Sequence, residues 1–153
     1  MANTYTQLYV HFVFGVRERY SLISRKWSEE LYKYISGIIK EQGHMVYSIN
    51  GMPDHVHILV SMNPKQSLSD LMIHVKKSSS VWINTNRLVL GRFSWQEGFG
   101  AFTYSRSQVP AVAQYIANQE SHHTGRSFRE EYLKLLEDFG IEYDKRYIFH
   151  DPN

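Results

Sequence analysis

The chain has no cysteine among its 153 residues. A disulfide framework and a thiolate metal site are therefore both excluded. No apolar run approaches the roughly 18 residues that a membrane-spanning helix needs, and the N-terminus lacks the basic-then-apolar pattern of a signal peptide. These absences lead us to expect a soluble cytoplasmic protein.

Length and composition predict one ordered domain over residues 1–153. A chain of this length can bury a substantial hydrophobic core without needing disulfides or bound metals to stabilise it. The sequence contains no GxxxxGK[ST] phosphate loop and no evident carboxylate trio for two-metal chemistry. We therefore expect no nucleotide cofactor.

Charge is spread unevenly along the chain, although its total is only +2. Residues 65–106 carry six basic and two acidic side chains, and residues 120–145 carry four basic and seven acidic ones. A basic middle is typical of a nucleic-acid surface, but a solvated helix face explains it equally well. The candidate phosphate contacts are Lys76, Lys77, Arg87, Arg92 and Arg106.

Hydrophobic periodicity predicts elements in the order β-α-β-β-α-β, followed by two helices. The expected strands are 4–16, 44–50, 55–60 and 101–104, and the expected helices are 24–41, 67–84, 107–123 and 127–139. This order predicts an α+β, ferredoxin-like (split βαβ) antiparallel sheet. Helices would cover one face of the sheet and leave the other free for a partner. The pair Asn50-Gly51 predicts a hairpin turn.

The most informative stretch is MPDHVHILV, residues 52–60. Side chains alternate along a strand, so His55 and His57 lie on the same face. Two imidazoles a few ångströms apart can bind one metal ion or one phosphate. Asp54 is predicted to fix the turn before the strand and to orient one histidine.

Three completions of this histidine pair compete. Histidine-triad nucleotide hydrolases need a further histidine where this chain has Leu59, which excludes them. A zinc hydrolase needs a third strong ligand, and no HExxH motif supplies one. The third completion is the helix predicted at 107–123, on which Tyr115 and Gln119 share a face because they are four residues apart.

Two imidazoles and one amide oxygen would form an open site suited to Mg²⁺ or Mn²⁺. The metal would polarise a phosphodiester, and Tyr115 would attack the phosphorus. A free phenol has a pKa of about 10, so the attack requires deprotonation or the field of the metal. Spacing alone favours Tyr115 as a core aromatic, and metal-dependent hydrolysis of a small phosphoester is a further alternative.

A resemblance to a known family bears on this choice. The stretch MPDHVHILV, together with YIANQESHH at 115–123, closely resembles the single-tyrosine HUH transposases of small bacterial insertion sequences, the IS200-like transposases. The resemblance covers nearly the whole chain. It implies that His55, His57 and Gln119 bind the divalent metal. It also implies that C-terminal helices carry Tyr115 as the nucleophile.

The resemblance further implies a nucleoid-associated enzyme that cleaves and rejoins single-stranded DNA at hairpin-marked element ends. Cleavage would proceed without ATP, through a 5′-phosphotyrosine. Homodimers are expected, with the tyrosine helix able to act in trans. His122 and His123 are predicted to take secondary roles in proton transfer or phosphate contact. The alternative is a domesticated protein that binds DNA hairpins without cleaving them.

Overall fold

The computed structural model of the protein describes residues 3–119 and 127–144. Within these ranges the strands are β1 (Tyr9–Gly15), β2 (Met45–Met52), β3 (His55–Ser61) and β4 (Gly100–Tyr104). The α-helices are α1 (Ser28–Glu41), α2 (Leu68–Thr85), α3 (Val109–Ala117) and α4 (Phe128–Asp138). No helix in this part of the chain is both long and apolar enough to cross a bilayer.

The four strands form one sheet in the order β2-β3-β1-β4, and every neighbouring pair is antiparallel. This order and the alternation of strands and helices confirm the ferredoxin-like prediction. The two central strands are buried almost along their whole length. Their apolar side chains therefore occupy both faces of the sheet.

Helices α1 and α2 cover the first face of the sheet. Phe12 and Phe14 of β1 alternate with residues that point to the opposite face, so both enter the same core. The helical side of this core is built from residues at helical spacing. They are Leu31, Ile35 and Ile39 in α1, and Leu71, Met72, Val75 and Ile83 in α2.

The sequence predicted that the second face of the sheet would be free for a partner. This prediction is wrong, because α3 and α4 cover part of that face. Val112 and Ile116 of α3 pack on Leu59 of β3. The first turns of α4 pack on Val13 and Phe102. The chain thus buries a second core on the sheet face that carries the two histidines.

Two glycines allow α4 to approach the sheet closely. A Cβ at Gly15 would lie 2.8 Å from Cε2 of Phe128, and one at Gly100 would lie 2.6 Å from Cε1 of Tyr132. Both distances are shorter than the contacts that a Cβ atom makes in folded proteins. Glycine at these two strand positions therefore makes room for the aromatic rings of α4.

The hairpin turn lies later than the Asn50-Gly51 signal predicted. Asn50 pairs with His57 and Gly51 pairs with Val56, so both belong to β2. The turn falls instead at Pro53 and Asp54, between Met52 and His55. A proline has no N–H for the ladder, which favours ending the strand there.

Other boundaries differ by a few residues. β1 begins at Tyr9 and α1 begins at Ser28, each four or five residues later than predicted. The tyrosine helix is regular only to Ala117, and the rest of its predicted range is described no further than residue 119. The predicted caps of α2 and α4 are confirmed, since Ser67 and Ser127 accept hydrogen bonds from the backbone.

Gly51→Ala is expected to destabilise the fold by about 1–3 kcal/mol, because overpacking a rigid site costs this much. A Cβ at Gly51 would collide with the backbone carbonyl oxygen of His55. Gly37→Ala in α1 is the matched control, since a Cβ there meets nothing within 4 Å. It should stabilise the protein by up to about 1 kcal/mol. Urea unfolding measures both, and equal stability of the two variants would contradict the close approach.

Candidate active site

The two motif histidines lie fully buried on the sheet face that α3 and α4 cover. His55 is the first residue of β3 and His57 is two residues later, so the two rings share a face. Across the ladder to β1 they pair with Gly15 and Val13. The sheet thus fixes the backbone of both residues from both sides, because β3 also pairs with β2.

Asp54 orients His55. The Oδ1 atom of Asp54 lies 2.7 Å from Nδ1 of His55, so this nitrogen donates to the carboxylate and Nε2 faces the site. Burial acts to lower the pKa of His55, but hydrogen bonds to Asp54 and Glu131 and their negative charges outweigh it and raise the pKa. The surroundings therefore favour positive charge, which a cation site also requires.

A carboxylate that sequence reasoning missed completes the cluster. Glu131 lies in the first turn of α4 and is only 2% exposed. Its Oε1 atom is 2.9 Å from Nε2 of His57 and 3.5 Å from Nε2 of His55. A third side chain able to act as a strong metal ligand is thus present. An HExxH motif does not reveal it because Glu131 comes from a helix distant in sequence.

Packing of α4 places this carboxylate. The ring of Phe128 stacks on His55, with 4.0 Å between ring centroids and 3° between planes. Glu131 follows three residues later and therefore lies one turn along the same helix face. Phe128, Glu131, Tyr132 and Leu136 are the buried residues of α4. An acidic residue on the apolar side of a helix was the signal that the sequence offered.

Helix α3 is held over the sheet by two side chains of β2. Ser48 Oγ donates to the carbonyl oxygen of Ala113 at 3.1 Å, and Asn50 Nδ2 donates to that of Ala117 at 2.9 Å. These bonds lie on either side of Tyr115. The Tyr115 hydroxyl donates a hydrogen bond to Oε2 of Glu131. The predicted nucleophile is therefore positioned from two directions.

Gln119 also reaches the site. It is fully buried, and its Oε1 atom lies 3.2 Å from Nε2 of His55. The ring of Tyr115 lies 6.0 Å from that of His57, measured between centroids. The structure thus brings together the four residues singled out in the sequence, and it adds Glu131 at their centre.

A second residue missed in the sequence is His11 of β1. Its Nε2 atom lies 2.7 Å from Nδ1 of His57, and both rings are fully buried. Burial and the neighbouring His57 lower the pKa of His11 well below its usual value, although the Glu131 charge acts in the opposite direction. His11 is therefore a neutral ring beside a motif histidine.

The chemistry of this cluster fits a divalent metal ion. Ligand atoms of His55, His57 and Glu131 all lie within 4.8 Å of one another. Nitrogen and oxygen ligands bind such ions at about 2.0–2.2 Å, which places neighbouring ligand atoms about 3 Å apart. The observed separations of 2.9 and 3.5 Å are of this size. Two imidazoles and a carboxylate are also a usual ligand set for such ions.

A cavity of about 280 Å³ lies beside Tyr115, between α3 and α4. Tyr115 and Glu131 line it, and so do Tyr104 and the ion pair of Lys134 with Asp138 at 3.1 Å. Burial and the Asp138 charge raise the pKa of Tyr104 to about 12. The phenol of Tyr104 therefore stays protonated at neutral pH.

The predicted phosphate contacts lie elsewhere on the molecule. Lys77, Arg87, Arg92 and Arg106 are exposed. Lys76 is partly buried, and its Nζ atom donates to the carbonyl oxygens of Gln96, at 2.8 Å, and Gly98. Burial lowers the pKa of Lys76 to about 8. Lys76 thus anchors the loop before β4.

Two of the predicted secondary residues, His122 and His123, lie outside the described residues. Asp54, the third, contacts His55 as stated above. None of the five basic residues predicted to contact phosphate lines the cavity beside Tyr115.

Comparisons with known proteins agree on one family. The family model for IS200-like transposases matches residues 4–119, which include all four predicted site residues but not Glu131. The ISDra2 transposase TnpA of Deinococcus radiodurans is 25% identical over an alignment of 118 residues, and the match covers 74% of this chain and 84% of TnpA.

Two solved structures share the fold. One is a Deinococcus radiodurans R1 protein described as a transposase, with a TM-score of 0.60, 20% identity, and coverage of 76% of this chain and 94% of the other. The second is a REP-associated tyrosine transposase bound to a REP hairpin, with a TM-score of 0.59 and 17% identity. That match covers 79% of this chain and 72% of the other.

Proposed function

Because the chain belongs to the IS200-like transposase family, we propose that it is a metal-dependent single-stranded DNA transposase whose nucleophile is Tyr115. One observation carries this proposal. The hydroxyl of Tyr115 and the Nε2 atoms of both motif histidines meet on the single carboxylate of Glu131. Covalent phosphoryl transfer assisted by a metal requires a nucleophile and cation ligands in one place.

The residues that would hold the ion are His55, His57 and Glu131, with Gln119 as a further oxygen ligand. Oxygen ligands and waters suit Mg²⁺, and the two imidazoles also suit Mn²⁺. When bound, the ion neutralises charge that develops on the phosphodiester.

Glu131 is placed to take the proton of the nucleophile, since its Oε2 accepts the Tyr115 hydroxyl. The phenol oxygen then forms a bond to phosphorus as the bond from phosphorus to the 3′ oxygen breaks. The products are a 5′-phosphotyrosine and a 3′-hydroxyl that takes its proton from water. Attack by the 3′-hydroxyl of another DNA end reverses the step and joins strands without ATP.

We propose DNA hairpins at element ends as the substrate, so that the protein acts at the nucleoid in the cytoplasm. A structural neighbour bound to a REP hairpin supports this substrate class. A homodimer with the tyrosine helix in trans is one arrangement that the family resemblance implies. The hydrogen bond from Tyr115 to Glu131 within one chain supports a site that each chain completes by itself.

The four exposed cations, Lys77, Arg87, Arg92 and Arg106, are proposed phosphate contacts. Lys77→Gln should lower the slope of log affinity against log salt by about 0.7 to 0.9 for hairpin DNA, because one phosphate contact is lost. Lys76→Gln, its neighbour, should mainly lower the melting temperature, because it releases the carbonyls of Gln96 and Gly98. An unchanged salt slope for Lys77→Gln would remove it from the DNA surface.

The function is tested by incubating the protein with hairpin-bearing single-stranded DNA and Mn²⁺. We expect one cleaved strand with a free 3′-hydroxyl and a protein-linked 5′ fragment, both abolished by EDTA. Salt-dependent binding without cleavage would instead identify a domesticated hairpin-binding protein. Cleavage that leaves a free 5′-phosphate would indicate hydrolysis by metal-activated water.

A further inference from the structure

His11 lies directly behind the motif histidine that the proposed function uses as a metal ligand. Nε2 of His11 is 2.7 Å from Nδ1 of His57, and the rings are stacked at 5.0 Å between centroids. His11 lies on the central strand β1, and its main-chain position pairs with Leu59. The proposed cleavage chemistry gives this buried ring no role.

The hydrogen bonds around His57 indicate which ring nitrogen carries the proton when the ring is neutral and no cation is bound. Oε1 of Glu131 is 2.9 Å from Nε2 of His57, and Oε2 of the same carboxylate accepts from Tyr115. The carboxylate is therefore the acceptor, and Nε2 of His57 carries the proton. When His57 is neutral, its Nδ1 atom has a lone pair, and Nε2–H of His11 is the donor in the short contact.

This assignment leaves Nδ1 of His11 as an acceptor. It is fully buried and has no hydrogen-bond partner among the described residues. A ring held only for structure would be expected to have both nitrogens paired. The unpaired nitrogen can receive a proton without breaking any bond that His11 makes to the described part of the chain.

Coordination of a cation by His57 requires the opposite arrangement. Nε2 must present its lone pair to the ion, so a neutral His57 carries its proton on Nδ1. Nδ1–H then donates to Nε2 of His11, which becomes the acceptor and holds its own proton on Nδ1. Each ring keeps one proton throughout, so the pair as a whole neither gains nor loses one.

We propose that His11 is a positioning residue that orients His57 and exchanges donor for acceptor when His57 binds a divalent cation. The usual partner of a metal-binding histidine is a carboxylate or a carbonyl, which only accepts. An imidazole satisfies His57 in both arrangements. The proposal rests on the metal site of the proposed function.

Two substitutions separate this role from packing. The amide of His11→Gln can donate or accept, whereas His11→Phe keeps a ring but can do neither. Isothermal titration of the full chain with Mn²⁺, without DNA, should show affinity within a few-fold of wild type for the glutamine variant. The phenylalanine variant should lose about 10–100-fold, the usual effect of losing such a partner.

His44→Gln is the matched control. His44 is also a buried histidine, but it bonds Gln66 and the backbone of Asn63, away from the site. Its replacement should leave Mn²⁺ affinity unchanged. Equal affinity of His11→Phe and wild type would overturn the proposal.

Nitrogen-15 NMR of the wild-type imidazoles tests the exchange directly and does not depend on any variant folding. With diamagnetic Zn²⁺ as the probe, the proton of His57 should move from Nε2 to Nδ1 on loading. A proton on the same nitrogen in both states would overturn the proposal. If the wild type binds no divalent ion, the metal site fails and the proposal fails with it. If wild type binds and cleaves but His57 keeps one tautomer, only the role of His11 is wrong.

Discussion

Tyr115→Phe should abolish the covalent protein–DNA adduct and lower strand cleavage by at least about 10³-fold, since removal of a nucleophile leaves only binding and electrostatic effects. The substitution removes one oxygen and keeps the ring that packs beside His57. Loss of the hydrogen bond to the buried Glu131 should cost about 1–3 kcal/mol of stability. Denaturing gel electrophoresis with labelled hairpin DNA measures the adduct, and Mn²⁺ titration shows whether the cation site survives.

Tyr132→Phe is the matched control for this prediction. Tyr132 is next to Glu131 in α4, but it packs over Gly100, and burial raises its pKa to about 12. The adduct level of Tyr132→Phe should equal that of wild type.

Mixing the Tyr115→Phe variant with the His57→Ala variant should not restore cleavage if each chain completes its own site. Recovery on mixing would show that the tyrosine helix acts in trans.

Glu131→Gln should weaken Mn²⁺ binding by at least about 10–100-fold and reduce cleavage by at least as much. Loss of an outer-shell partner alone has effects of this size, and this change removes a direct ligand charge. The amide keeps the shape of the side chain but cannot take the proton of Tyr115. Isothermal titration and single-turnover cleavage measure the two effects separately.

Two further variants help to interpret the result for Glu131→Gln. Glu130→Gln changes the exposed neighbour in the same helix turn and should alter neither property. Gln119→Ala should weaken Mn²⁺ binding less than Glu131→Gln, because a neutral amide oxygen attracts a cation less strongly than a carboxylate. If Gln119→Ala removes binding while Glu131→Gln retains it, the amide and not the carboxylate is the third ligand.

Periodicity was enough to predict most of the fold. Alternation in β1 and β3 and helical spacing in α1 and α2 predicted the elements and their order, and two serine caps were identified correctly. The Asn50-Gly51 signal placed the turn too early, although Asp54 was also predicted to lie in it, because glycine has two uses. It permits tight turns, but at Gly51 it accommodates the approach of the His55 carbonyl. Sequence alone does not distinguish the two.

Short-range spacing grouped the candidate residues only in pairs, and the family resemblance was needed to assign their roles. His55 and His57 are two residues apart on one strand and share a face, and Tyr115 and Gln119 are four residues apart on a helix, so each pair could be seen in the sequence. Glu131 and His11 were missed because they join the cluster through tertiary packing. The stacking of Phe128 on His55 brings Glu131 in, and the pairing of β1 with β3 brings in His11.

The most direct test of the account is to identify the amino acid that becomes linked to DNA. After cleavage of hairpin DNA with Mn²⁺, trypsin should release residues 107–126 as one peptide, in which Tyr115 is the single tyrosine. Mass spectrometry is expected to find a 5′-phosphonucleotide on Tyr115 of this peptide. A nucleotide on any other residue, or cleavage that leaves no modified peptide, would contradict the account.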